Sequence, residues 1–316
     1  MSNLVHSPEY NTDLSAFGVF KPFALDRGTR VLHLLQQEFG DQIRVAKPPR
    51  ISKEDARLVH TERYLESLNH AQTWLNIFEL KDEEYKPELA KRPLPELFDD
   101  IALKCGGTKL AAVNAFKYGL AANLGGGYHH AFPDRGRGFC VIHDIAIAIK
   151  CCQQAKLAKN VLVVDLDFHQ GDGTAVVFQG DDTVFTLSVH SEEGWPDQKQ
   201  TSDLDMPIFE SETRMYLEKT EQAVAQALKR FSPDLVMYVA GSDPYEHDVL
   251  PGTKFIKLTL DEMFVRDKFV IDTFAKLGIP LAMVYAGGYG DAVWEVHYNA
   301  TRHLWLKSGA AAIGPA

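Results

Sequence analysis

The pentapeptide Asp165-Leu166-Asp167-Phe168-His169 sets two carboxylates and an imidazole at alternate positions, directly after the apolar run VLVV. On an extended chain, residues two apart face the same side, so Asp167 and His169 can converge on one cation. A carboxylate, an imidazole and a further carboxylate, with one position left for water, make a catalytic zinc site. The third ligand has to come from another strand end, and Asp243 in AGSDP is the best placed. A lone D-x-H is more often a turn aspartate beside a capping or packed histidine; Asp243 and a histidine pair upstream favour the metal. That pair is His129 and His130 in GGGYHH, where three glycines let the backbone approach a ligand closely. Histidine titrates near neutrality, so two beside a metal can divide the activation of water and the protonation of a leaving amine. Both could instead be extra ligands. Asp165 and Asp172 are available to accept from the far ring nitrogens and fix the tautomers. In AGGYG, glycines around Tyr289 suggest a phenol aimed into a site, where its hydroxyl can steady an oxyanion; plain packing is the alternative.

These residues follow the ends of short apolar runs rich in β-branched residues: Val161 to Asp165, Thr183 to Val189, Leu235 to Ala240 and Leu281 to Ala286. Continuous rather than alternating runs predict strands buried on both faces of a parallel sheet. Helical patterns over Glu210 to Arg230 and Asp261 to Leu277 lie between them, and a further strand near Ala121 to Leu124 follows a helical stretch from Gly107 to Tyr118. Alternating strands and helices predict an α/β fold with right-handed crossovers. Polar groups gathered after the C-terminal strand ends mark the edge where open α/β sheets bind ligands. The polar segment Ile77 to Leu97, with Pro87, Pro93 and Pro95, reads as a long surface loop. No repeat or linker divides the 316 residues, so a single domain over 1–316 is expected.

Composition narrows the function further. Hydrophobic residues at 45% and charged ones at 24% match a soluble globular chain. A formal net charge of −10 argues against nucleic-acid binding and suits a cationic ligand. Cys105, Cys140, Cys151 and Cys152 form no C-x-x-C pair or disulfide framework, which predicts a reducing, cytoplasmic compartment. The N-terminal residues lack the basic start and apolar core of a signal peptide, and no apolar run is long enough to span a bilayer. No membrane partner is expected.

The segments GGGYHHAFPDRGRGFC, VDLDFHQGDG, LSVH, AGSDP and AGGYG, in this order, resemble the zinc-dependent histone deacetylase family, which includes acetylpolyamine amidohydrolases and shares its fold with arginase. The likeness runs from YNTDLSAFGVFKPFALDRG nearly to the chain's end. GGTKLAAVNAFKYGLAANLGGGYHH and DRGRGFCVIHDIAIAIK look most like the class IV branch. The resemblance implies a three-layer α/β/α fold with a mostly parallel central sheet. It implies that Asp167, His169 and Asp243 hold zinc, or iron(II) in vivo. It makes His130 the general base and acid, His129 its electrostatic support, Asp165 and Asp172 their carboxylate partners, and Tyr289 the group that polarises the scissile carbonyl. Gly138, Phe139, Trp195 and Leu250 fall where the family lines its acyl-lysine tunnel. A structural potassium or sodium ion would use oxygens of Asp165, Asp167, His169, Ser188 and Val189. Departures sit near the tunnel mouth: Lys21-Pro22-Phe23 in the first rim loop, His247 in place of a glycine, and Pro251 just past Leu250.

The expected activity is therefore hydrolysis of an amide that joins an acyl group to a lysine side chain of a protein or peptide. The alternative substrate is an acetylpolyamine or another small acylated amine. A two-metal ureohydrolase of the arginase kind leaves the tandem histidines and Tyr289 without a task. A non-enzymatic acyl-lysine reader would have lost a ligand or the tyrosine, and both are present. The departures near Leu250 and the apolar Phe139 and Trp195 favour tolerance of acyl groups longer than acetyl.

Overall fold

A computed structural model describes residues 2–21, 23 and 25–308, so Pro22 of the rim loop lies outside the described residues. Eight strands form one sheet: β1 (Leu4–Val5), β2 (Val45–Ala46), β3 (Leu120–Asn123), β4 (Val161–Asp165), β5 (Val184–Ser191), β6 (Leu204–Ile208), β7 (Leu235–Val239) and β8 (Leu281–Val284). Their spatial order is β2-β1-β3-β8-β7-β4-β5-β6. Every pairing is parallel, beyond the mostly parallel sheet expected. The helices are α1 (Arg27–Phe39), α2 (Lys53–Arg57), α3 (Glu62–Ser67), α4 (Ala71–Ile77), α5 (Phe98–Tyr118), α6 (Asp144–Gln154), α7 (Asp172–Val177), α8 (Tyr216–Arg230), α9 (Leu260–Leu277) and α10 (Val293–Lys307).

Why the central strands read as unbroken apolar runs is plain from their two cores. Successive side chains of a strand point to opposite faces. Val161 and Val163 of β4 join Met237 and Ala282 beneath Ala111 and Ala115 of α5 and Ile145 and Ile149 of α6. Leu162 and Val164 join Tyr238 and Met283 against Val31 of α1, Val224 of α8, Val270 of α9 and Leu304 of α10. Both faces are covered, giving the three-layer α/β/α architecture. Helix ends follow local rules where the signal is strong. In α9, Thr259 and Glu262 form a capping box, and Gly278 terminates the helix in the left-handed conformation.

Two sequence expectations need correction. The helical pattern from Glu210 opens as a 3₁₀ helix over Glu210–Met215, and only then becomes α8. The segment from Ile77 to Leu97 is not simply a surface loop. Phe78, Leu94 and Leu97 are buried with Phe17, Trp74 and Ile101 in a third core. Prolines and charges dominate its composition, yet a few apolar anchors suffice to pin it down.

Candidate metal centre and catalytic pocket

The four strands whose ends carry the chemical motifs, β3, β8, β7 and β4, are immediate neighbours in the sheet. In register, Asp165 at the end of β4 sits opposite Val239 of β7, so the loops bearing Asp167 and Asp243 leave the sheet side by side. One ligand atom from each of Asp167, His169 and Asp243 lies within 4.8 Å of the others, all three residues being buried. His169 Nδ1 is 3.0 Å from Asp243 Oδ2 and 3.3 Å from Asp167 Oδ1. The remaining oxygens are fixed by backbone donors: Gly287 N donates to Asp167 Oδ2 at 2.8 Å, and Phe168 N to Asp243 Oδ1 at 2.9 Å. A Cβ on Gly287 would stand 2.3 Å from Asp243 Oδ2, so only glycine lets the Tyr289 loop come this close. The buried guanidinium of Arg266 donates to the carbonyls of Leu166 (3.0 Å) and Gly241 (2.8 Å), tying the two ligand loops together.

Two buried carboxylates at this spacing repel each other. Burial and the neighbouring Asp167 push Asp243 up to about 7. A divalent cation between them removes that penalty, and two carboxylates with one imidazole are a donor set suited to zinc or a similar first-row ion. The residues present fit such an ion.

Beside the triad stand two histidine–carboxylate pairs, as expected. His129 Nδ1 lies 2.7 Å from Asp165 Oδ2, and His130 Nδ1 lies 2.7 Å from Asp172 Oδ1. Their ring centroids are 3.9 Å apart. The two imidazoles have opposite electrostatic surroundings. For His129, burial alone would lower the pKa, but Asp165 and Asp167 outweigh it and hold the ring up at about 10. For His130, burial and the His129 charge bring the ring down to about 4 despite Asp172. His130 is therefore the neutral ring, with a lone pair free to take a proton.

A cavity of about 150 Å³ opens over these groups, with Phe23, Phe139 and Tyr289 among its walls. Phe139 packs 5.1 Å from Phe23 and 6.0 Å from Tyr289, ring centre to ring centre. Phe139 adopts φ 65°, a conformation that costs a non-glycine residue about 1–3 kcal/mol and here turns its ring inward. Gly138 comes close enough that a Cβ would lie 2.8 Å from both His130 and the Trp195 ring. Trp195 lies outside the residues that line this cavity and packs edge-on against His130 at 4.7 Å. Tyr289 is positioned through its backbone, N donating to Asp248 Oδ2 at 2.7 Å. Leu250 is half-buried and lies outside the residues that line this cavity; its backbone N donates to Asp248 as well. Ser188 is paired in register with Asp165, and its hydroxyl is 3.0 Å from His190 Nδ1. That places Ser188 and Val189, within β5, beside Asp165 at the end of β4.

Residues 21–305 match the histone deacetylase domain family. The chain belongs to the histone deacetylase family. It is 32% identical over 309 residues to histone deacetylase 2 of Arabidopsis thaliana, covering 96% of this chain and 78% of that protein. Over 206 residues it is 43% identical to an uncharacterised protein of Picosynechococcus, spanning 65% of this chain and 67% of the relative. An acetylpolyamine aminohydrolase from Burkholderia pseudomallei shares the fold, with a TM-score of 0.70, 20% identity, and coverage of 95% of this chain and 98% of that one. Membership of the family makes the chain a hydrolase that acts on amides.

Several residues of this deacetylase site escape a sequence reading. Arg137 pairs with Asp172 at 3.0 Å, completing a relay behind His130; the second arginine of DRGRG was its only signal. Asp144, at the first turn of α6, accepts from Gly127 N at 2.9 Å, from Tyr128 N at 2.7 Å and from the Thr108 hydroxyl. It holds the histidine loop in place from behind. Asp144→Ala would leave these donors unsatisfied, at about 1–3 kcal/mol each. A fall in Tm of roughly 6 °C or more is expected by calorimetry; an unchanged midpoint would show that the loop supports itself. Arg27 of α1 and Lys104 of α5 also line the cavity.

Proposed function

We propose that this chain is a metal-dependent lysine deacylase, built as one catalytic domain over residues 1–316, with Asp167, His169 and Asp243 holding zinc, or iron(II) in vivo. The observation that carries this reading is the convergence of the buried triad, two histidine–aspartate pairs and Tyr289 on one cavity. A divalent ion at the triad supplies Lewis acidity, lowering the pKa of water to about 7 and polarising the acyl carbonyl. His130 Nε2 takes the proton that water gives up as it adds to the carbonyl carbon, while Asp172 accepts from Nδ1 and steadies the charge. His129, between Asp165 and Asp167, supplies positive potential as negative charge grows on the substrate. The Tyr289 hydroxyl donates to the carbonyl oxygen as it becomes anionic. His130 then returns the proton to the departing amine. Gly138, Phe139 and Trp195 enclose the apolar lysine stem and keep bulk water from the reacting atoms. A potassium or sodium ion held by Asp165, Ser188 and Val189 would brace the strand ends behind the triad.

In the two-metal ureohydrolase reading, Asp165 and Asp172 would have to become metal ligands. Each already accepts from a histidine Nδ1 at 2.7 Å, which favours a single ion. The class IV likeness and the reducing, cytoplasmic setting remain part of this proposal. All four cysteines are free, and no helix among the described residues is long and apolar enough to cross a membrane.

Beyond the catalytic residues the cavity continues between Leu14, Leu25, Leu97 and Ile101, which favours acyl chains longer than acetyl. Each buried methylene contributes about 0.8 kcal/mol. The test is kcat/KM for acetyl-, butyryl-, octanoyl- and myristoyl-lysine in one peptide context, with acetylpolyamines in parallel. Butyryl is expected to exceed acetyl by several-fold. A steep fall beyond acetyl would remove the longer-chain preference, and turnover of the polyamines alone would replace lysine with a small amine as the substrate.

A further inference from the structure

The cavity does not stay apolar to its end. Lys104 of α5 lines it one helical turn from Ile101 and is buried, and its ammonium makes no hydrogen bond or ion pair among the described residues. Arg27 lines it as well. Its guanidinium donates to the carbonyl oxygens of Gly287 (3.0 Å), Gly288 (3.3 Å) and Ala286 and lies 3.4 Å from His297 Nε2, and it makes no ion pair among the described residues. Thr12 Oγ1 is a buried hydroxyl on the same cavity without a hydrogen-bond partner. Among the described residues, the only carboxylate on the cavity wall is Asp167 of the triad. Asp100, one turn earlier on α5, is the acidic group that favours the Lys104 ammonium, yet it forms no ion pair with it among the described residues. A buried ammonium with no anion is unfavourable, and an apolar acyl tail reaching it would leave it unpaired.

We propose that Lys104, with Arg27 and Thr12 Oγ1 as further donors, forms a carboxylate-binding subsite, and that the chain removes acyl groups ending in a carboxylate, of the succinyl and glutaryl class, from lysine. This rests on the deacylase reading and names its substrate class. The reaction is a hydrolysis without redox change. The oxygen of water bonds to the acyl carbon, the amide C–N bond breaks, and a water proton reaches the amine nitrogen through His130. The products are the free lysine and a dicarboxylic acid. Hydrolysis creates its new carboxylate at the triad, whereas Lys104 stands on α5, an element that carries no triad residue. Only a second carboxylate, at the far end of the acyl chain, reaches the ammonium while the scissile carbonyl stays in place.

The experiment compares kcat/KM for succinyl- and glutaryl-lysine peptides with their near-isosteric neutral amides, succinamoyl- and glutaramoyl-lysine, using the metal-loaded full chain. A charge-assisted hydrogen bond predicts a preference for the carboxylate of about tenfold or more in the unaltered chain. Lys104→Met should abolish or invert that ratio, and thermal midpoint and metal content confirm that the variant is folded. If it is not, Lys104→Gln and Thr12→Val take its place, and the ratio in the unaltered chain stands without any variant. A ratio of one or below, with butyryl-lysine still hydrolysed, overturns the subsite and leaves the deacylase intact. A high ratio unmoved by Lys104→Met or Lys104→Gln overturns the assignment to Lys104. If Lys104→Met relieves inhibition by added acetate while the ratio is unchanged, the ammonium serves departing product and the proposal fails. Hydrolysis of no acyl-lysine peptide overturns the inference together with the reading beneath it.

Discussion

Asp243→Ala is expected to retain no divalent metal through gentle dialysis and to lose about 10⁴-fold or more in kcat/KM. Asp243 contributes one of only three ligand atoms. Two remaining donors, one carboxylate and one imidazole, leave an ion largely to solvent, and structural and catalytic zinc sites need at least three protein ligands. Activity should fall with the metal, because the other groups at the site act on a water and a carbonyl that the ion must first activate. Stability should behave differently. In the absence of metal, Asp243 is a buried acid beside Asp167, so its removal relieves repulsion even as Phe168 N loses its acceptor. The metal-free variant should therefore melt close to the metal-free parent. Metal analysis decides the matter: one ion per parent chain and none per variant is expected. Two tightly bound manganese ions in the parent would support the ureohydrolase instead, and metal retained by the variant would remove Asp243 from the ligand set.

Tyr289→Phe tests the other end of the reaction. The substitution keeps the ring, and with it the packing against Phe23 and Phe139, and deletes one hydroxyl. Burial pushes the phenol pKa well above its usual value, with Asp243 and Asp167 adding to the shift, so the hydroxyl stays protonated and able to donate. The negative charge it meets exists mainly in the transition state. Its loss should lower kcat by roughly 10² to 10³ while KM changes little. Metal content and thermal midpoint should match the parent. A turnover number within about twofold of the parent would mean that Tyr289 only packs.

How much of this could be read in advance depended on how far each contact runs along the chain. Strands β4, β5, β7 and β8 are buried on both faces, and burial on both faces writes itself as an unbroken apolar run. Strands β1 and β2 have two residues each, too few for any period, and are held only by pairing in the assembled sheet. β6 is half-buried at the sheet edge and carries Pro207, so neither pattern applies. Within the site, Asp167 and His169 were readable because their spacing matches the strand period, and Asp243 because it ends a neighbouring strand. Asp165 and Asp172 were readable as nearby carboxylates. Arg27, Lys104 and Asp144 were not. Each stands on a helix that tertiary packing alone brings to the cavity or to the histidine loop. A lysine on the buried side of α5, between Ile101 and Thr108, was the one local inconsistency that could have drawn notice.

The order of the strands in space also bears on how the chain is made. β3, the third strand to be synthesised, lies between β1 and β8, pairing Leu4 with Ala122 and Leu120 with Leu281. β7 likewise waits for β8 on one side. Until residues 281–284 leave the ribosome, the sheet consists of two separate pieces, β2-β1-β3 and β7-β4-β5-β6, each with an open apolar edge. Non-local parallel pairing is slow to form, and unpaired strand edges invite association with other chains. The strand that joins the two pieces is followed directly by the loop carrying Gly287 and Tyr289, so closure of the sheet and assembly of the reacting centre are one event. A nascent chain is thus both catalytically inert and most prone to aggregate up to the same point in its synthesis.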